Sequence, residues 1–158
     1  YSITLEFHLI TKPKQKCIMY ALLFFLLIFT AFLKNMDFSY PKNEKLKSKT
    51  TIDLLFSEGK SVSKYPLRLV YVENPSDTEI LKFGVSVSKK YFKKAVDRNY
   101  YKRVLRECYR LNKSLLLDNI EKNYALMFFY QTKDRLPYSE IHQKTMLLFE
   151  KFIAEIKK

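Results

Sequence analysis

The chain predicts an α+β domain, a sandwich with helices on one face of a sheet, in the order α-β-β-α-β-α. Three patterns carry that expectation. Leu81, Phe83, Val85 and Val87 alternate strictly with Lys82, Gly84, Ser86 and Ser88, the period of a half-buried strand. Tyr124 to Tyr130, YALMFFY, is a short continuous apolar run that suits a central strand buried on both faces. Between them Tyr101, Val104, Cys108, Leu111 and Leu115 recur at alternating steps of three and four, which makes a core-facing helical stripe.

The elements follow in order. Lys49 to Glu58 reads as a short helix with Ile52, Leu55 and Phe56 on one side, and Gly59 serves as its stop. Pro66 introduces a strand over Leu67 to Val72. Asn74-Pro75-Ser76-Asp77 is a turn by composition, so this strand and the one at 81–87 are expected to pair as a hairpin across it. A basic helix is expected over about 96–113. The last helix, about 138–156, presents Ile141, Thr145, Leu148, Phe149, Phe152, Ile153 and Ile156 on one face, and Pro137 suits its first turn. A strand returning parallel after the basic helix would bury the 101/104/108/111 stripe against the sheet and leave the other sheet face open.

Charge separates this domain from an ordinary soluble one. The 158 residues include 29 Lys or Arg and 16 Asp or Glu, a net charge of +13. Residues 89–113 hold ten basic residues against Asp97 and Glu107, a local balance of +8. Solvated helices usually mix Glu with Lys four residues apart, whereas here Arg98, Lys102, Arg106 and Arg110 stack like charges at that spacing. Such repulsion is relieved by a polyanion, which points to a phosphate backbone.

The front of the chain is different. Cys17 to Leu33 is a 17-residue uncharged run between Lys16 and Lys34, at the lower edge of what spans a bilayer. It is compatible with a single-pass anchor, with a signal peptide whose Phe32-Leu33-Lys34 is a poor cleavage site, or with a segment foreign to the functional domain. The third is favoured, because the chain opens on Tyr1 and Met36 leads into a Lys-rich sequence. The expected division is therefore an apolar extension, 1–35, and a basic domain, 36–158, that keeps a net charge of +10. A membrane is expected as a partner only if residues 17–33 are expressed. Cys17 and Cys108 form neither a disulfide framework nor a paired metal motif, so a reducing, cytoplasmic setting is expected.

No catalytic machinery is visible in the domain. His142 on the last helix and Cys108 on the apolar stripe have no sequence neighbours that would make a nucleophile–base pair or a metal-ligand spacing. A partly exposed helix residue and a core thiol are the expected roles, with no catalytic or metal-ligating residue on the protein.

The central residues resemble a known family. Phe83-Gly84-Val85-Ser86-Val87-Ser88-Lys89-Lys90, then Ala95-Val96-Asp97-Arg98-Asn99, then Lys102-Arg103-Val104-Leu105-Arg106-Glu107 is similar to the signature of the bacterial ribonuclease P protein subunit. That signature runs G-x-S-V-S-K-K, then A-V-x-R-N-R-x-K-R-x-x-R-E. Phe56-Ser57-Glu58-Gly59 matches the Phe-x-x-Gly that ends the family's first helix. Two departures stand out: Tyr100 replaces the last Arg of Arg-Asn-Arg, and Tyr91-Phe92-Lys93-Lys94 replaces a shorter Gly-containing loop. A ring can stack or donate once where a guanidinium would fork onto phosphate, and Lys93 and Lys94 add charge nearby.

The resemblance implies a fold similar to the second domain of a small-subunit ribosomal protein, with a left-handed βαβ crossover where the general rule gives a right-handed one. It implies a ribonucleoprotein endoribonuclease in which RNA, with Mg²⁺, removes the 5′ leader of precursor tRNA while the protein assists. Partners would be the catalytic RNA and precursor tRNA, with no small-molecule substrate. Lys89, Lys90, Lys93, Lys94, Arg98, Asn99, Lys102, Arg103 and Arg106 would contact the catalytic RNA. Ile52, Phe56, Arg68, Val70 and Ser86 would line the leader cleft, although Ile52 and Phe56 also fit a core-packing role. A general basic RNA-binding or ribosome-associated protein, or a membrane-tethered basic domain, is the alternative.

Overall fold

The computed structural model describes residues 39–75 and 79–158. The extension over 1–35, and with it the choice among anchor, signal peptide and foreign segment, lies outside the described residues. Seven elements follow: α1 (Lys49–Ser57), β1 (Lys60–Lys64), β2 (Leu67–Glu73), β3 (Leu81–Val87), α2 (Ala95–Leu117), β4 (Tyr124–Tyr130) and α3 (Tyr138–Ile156). Among the described residues no helix is long and apolar enough to cross a membrane.

The four strands form one mixed sheet in the order β1-β2-β4-β3. β1 pairs antiparallel with β2, β2 antiparallel with β4, and β3 parallel with β4. The expected hairpin across Asn74 does not form, because β4 lies between β2 and β3. The reason is in β4 itself: a strand apolar on both faces gains most by taking an inner position. The hairpin is made instead by β1 and β2. β1, KSVSK, was not predicted; Val62 is its only apolar residue, and the Lys at each end is typical of a guarded edge strand.

The larger core lies under α2 and α3. Leu69, Tyr71, Phe83, Leu126, Phe128 and Tyr130 from the sheet meet Leu105, Tyr109, Leu148, Phe149 and Phe152 from the helices. The Phe83 and Tyr109 rings stack at 3.8 Å and 9°. The buried side of α2 is Tyr101, Val104, Leu105, Cys108, Tyr109, Lys113 and Leu116, while Leu111 and Leu115 are only half-buried. This arc differs from the predicted stripe because α2 packs against both the sheet and α3, and two partners require a broader apolar face.

The opposite sheet face is not fully open. α1 lies on it with its Leu55 packed in one cluster with Val70, Ala125 and Met127 of the sheet, and Ile52 and Phe129 are partly buried against them. Gly59 lets the chain turn directly from α1 into β1: a Cβ there would stand 2.0 Å from the Leu55 carbonyl oxygen and 2.9 Å from Val70 Cγ1. Ser48 caps the start of α1, its Oγ accepting from Thr51 N–H.

Ahead of α1, residues 39–47 strap the outer edge of β3. Phe83 N–H donates to Glu44 O at 2.7 Å, and Leu46 N–H donates to Phe83 O at 3.0 Å. Glu44 also accepts from Lys113 Nζ at 2.6 Å, in a pair whose side chains are 14% and 5% exposed. Lys113, counted above in the basic stretch, is thereby part of the core and not of the outer surface.

Candidate nucleic-acid interface

The cations of residues 89–113 divide by what holds them. Arg110 is paired with Glu107 at 2.6 Å, and Lys113 with Glu44. Arg98 is half-buried, and its Nη1 donates to the carbonyls of Phe92 (2.9 Å) and Lys93 (2.6 Å). The other seven, Lys89, Lys90, Lys93, Lys94, Lys102, Arg103 and Arg106, have no carboxylate within ion-pairing distance among the described residues. A row of uncompensated cations on one element and the loop before it is a surface suited to phosphates.

That loop is anchored from below. Phe92 is buried and stacks on Tyr101 at 4.7 Å, and Tyr101 stacks on Tyr130 at 4.6 Å. Tyr91 and Phe92 N–H both donate to Ser88 O, and Lys90 N–H donates to Ser88 Oγ. Arg98 ties the loop to the first turns of α2, so it positions Lys93 and Lys94 as well as carrying charge. Asp97 is held by Arg135 at 2.8 Å, which fixes the helix start from the other side. Asn99 and Arg103 are exposed. Tyr100 is 55% exposed, and its ring stands edge-on to Tyr101 at 5.1 Å.

A second surface lies on the α1 side of the sheet. Strand register sets Ser63, Arg68, Phe129 and Ser86 in one cross-strand row. Phe56, 63% exposed, stands at 6.2 Å from Phe129 with the rings inclined at 62°. Arg68 donates to Ser61 Oγ at 3.2 Å. Of the five residues expected in a cleft, Phe56, Arg68 and Ser86 come together at this row. Val70 is buried beneath α1 and Ile52 is half-buried against the same cluster, so these two pack. Phe129 was missed, although its signal is present: in a strand apolar throughout, 125, 127 and 129 must face away from 124, 126, 128 and 130.

Groups that could do covalent chemistry are occupied or buried. Cys108 is fully buried, and burial pushes its thiol up to about 11. At pH 8 about one thiol in a thousand would then be ionised. Iodoacetamide is therefore expected to leave Cys108 unmodified in the folded protein and to alkylate it quickly in urea, as mass spectrometry would show; rapid native labelling would contradict the burial. His142 Nε2 lies 3.0 Å from Asn112 Nδ2, and its ring stacks on Tyr138 at 5.8 Å. Among the described residues no three His, Cys, Asp or Glu side chains group as a metal site.

A family model described as Ribonuclease P matches residues 40–153. The Ribonuclease P protein component of Porphyromonas gingivalis is 42% identical over 103 residues, covering 63% of this chain and 75% of its own length. That of Dictyoglomus thermophilum is 34% identical over 107 residues, covering 63% and 87%. Among solved structures, the RNase P protein from Thermotoga maritima superposes with a TM-score of 0.55 at 26% identity, covering 68% of this chain and 96% of that one. The RNase P protein of Staphylococcus aureus shares the fold with a TM-score of 0.58 at 20% identity, covering 68% and 93%.

Proposed function

Because the chain belongs to the Ribonuclease P family, the protein components of a tRNA-processing ribonucleoprotein endoribonuclease, we propose that it holds the catalytic RNA along α2 and the 5′ leader of precursor tRNA on the α1 side of the sheet. The observation that carries this is the set of seven cations on α2 and its preceding loop that have no carboxylate partner among the described residues. Arg103 and Arg106 would fork onto phosphates, while Lys89, Lys90, Lys93, Lys94 and Lys102 would displace counterions along the strand. Asn99 would supply a neutral donor. Arg98 would both contact RNA and hold the 89–94 loop in place.

For the leader, the row at Arg68, Phe129 and Ser86 offers one cation, one aromatic face and one hydroxyl, with Phe56 above. An unpaired strand can stack its bases on such rings while its phosphate meets the guanidinium. Ile52 and Val70 would set the floor of this groove without touching RNA. Hydrolysis is assigned to the RNA, with Mg²⁺ held there. The protein's part is to bring leader and catalytic RNA together, and the expected setting is the bacterial cytoplasm.

The test is reconstitution of the full chain with a bacterial ribonuclease P RNA and a leader-bearing precursor, at Mg²⁺ too low for the RNA alone. Correct 5′ cleavage is expected. Phe129→Ala should narrow the preference for precursor over mature tRNA by about 1–3 kcal/mol, or roughly 5- to 150-fold, and should also lower the unfolding midpoint, because the half-buried ring packs against the α1-side cluster. Salt-sensitive RNA binding without rescue would leave a general RNA-binding protein.

A further inference from the structure

The strap over β3 stops short of the strand's end. Lys45 pairs in parallel with Phe83, and both backbone groups of Phe83 are satisfied by Glu44 and Leu46. Two residues later the chain turns away, since Ser48 already caps α1. Strand backbone groups alternate in direction, so Val85 presents its N–H and C=O to the same edge as Phe83, where among the described residues no strand lies beside it.

A groove of about 490 Å³ opens there, lined among others by Tyr40, Lys45, Lys47, Gly84, Val85 and Arg106. Among the described residues its lining holds three cations and no carboxylate. The walls are fixed in advance: Tyr40 Oη donates to Phe83 O, the Tyr40 ring stands edge-on to Tyr109 at 5.3 Å, and Lys45 Nζ lies 5.2 Å from the Tyr40 ring centre. Arg106 reaches the groove from α2, where Lys102 and Arg98 lie one and two helical turns nearer the helix start. The groove therefore sits at the end of the row of cations on that helix.

We propose that this groove seats a phosphodiester group of the RNA bound along α2, with Val85 N–H, Lys45, Lys47 and Arg106 as its donors. The RNA path then continues from α2 over the sheet edge to the strap, and the proposal rests on the RNA-binding reading above. Converging cations with a backbone N–H match phosphate oxygens, and the volume admits a whole nucleotide. An added peptide strand fits less well, because the open edge runs only from Val85 to Val87 before the loop begins, too short for a ladder.

The experiment is a salt titration, from 50 to 200 mM, of full-length protein binding to a bacterial ribonuclease P RNA, comparing wild type, Lys45→Gln/Lys47→Gln and a control pair on α3 and its cap, Lys151→Gln/Lys157→Gln. The groove pair is expected to weaken binding about 10-fold or more at low salt and to flatten the log–log slope by about 1.5, at an unchanged unfolding midpoint. The control should keep the wild-type slope, and amide exchange at Val85 should slow on RNA binding. A groove pair with wild-type slope, or a control that loses as much, overturns the groove as a phosphate site; an unprotected Val85 overturns its role as donor. Wild-type binding that is weak and insensitive to salt would instead defeat the RNA reading itself.

Discussion

Replacing Arg98 and Arg103 together by alanine is expected to weaken binding to a bacterial ribonuclease P RNA by about 100-fold or more, taking two charged hydrogen bonds at about 1.5–3 kcal/mol each. Precursor cleavage should vanish at Mg²⁺ where the RNA alone is inactive. The single variants separate two roles. Arg103 is exposed, with no carboxylate partner among the described residues, so Arg103→Ala should lower affinity, reduce the salt slope by about 1 and leave unfolding unchanged. Arg98 is bonded to the Phe92 and Lys93 carbonyls, so Arg98→Ala should also cost about 1–3 kcal/mol of stability, visible in urea unfolding. Wild-type affinity and slope in Arg103→Ala would sink the assignment of the outer face of α2 to RNA.

In the proposed interface, Tyr100 would be the place where two modes of contact meet on that face. It stands where the family pattern has Arg, it is exposed, and the buried Tyr101 holds its ring edge-on. A stacked ring contributes without counterion release, whereas a guanidinium adds to it. On the proposed reading, the α2 surface would combine salt-dependent contacts at Arg103 and Arg106 with one position whose contribution should persist as salt rises.

Strong periodicity made β3, β4 and α3 legible, because each has one dominant environment: a half-buried alternation, an apolar run and an amphipathic stripe. β1 was not, since a five-residue edge strand with one buried side chain carries almost no periodic signal. Strand order was also hidden. Asn74-Pro75 is a turn by composition, but adjacency along the chain does not decide pairing when a later, more apolar strand competes for the same edge. The cations of α2 could be counted from the sequence, but not sorted. Lys113 and Arg103 look alike in a helical repeat, and only the approach of Glu44, 69 residues away in the chain, makes one of them core. Long-range partners such as this have no local signature. The face on which Phe129 lies is legible from strand alternation, but its exposure is not, because that depends on how much of the face α1 covers.

The Glu44–Lys113 pair carries the other large effect. Removing Glu44 takes from the buried Lys113 ammonium its carboxylate partner at 2.6 Å, and breaking a buried pair costs up to about 3–5 kcal/mol. Glu44→Ala is therefore expected to lower the thermal midpoint by roughly 10–20 °C for a domain of this size. Lys113 would retain the Ser39 carbonyl at 3.3 Å, and Tyr109 Oη would lose its Glu44 contact at 3.3 Å. Lys113→Met in the same background removes the ammonium and keeps an unbranched side chain at a position that is 4% exposed. The double variant should recover about half or more of the loss, giving a coupling of about 2–3 kcal/mol in the four-member cycle. The pair also positions the strap, since Glu44 O and Leu46 N–H flank Phe83. Glu44→Ala should accordingly weaken RNA binding even where the protein remains folded, while the double variant regains stability faster than affinity. Independent, additive effects of the two substitutions would show that the charges are solvated and that the strap is held by its backbone bonds to Phe83 alone.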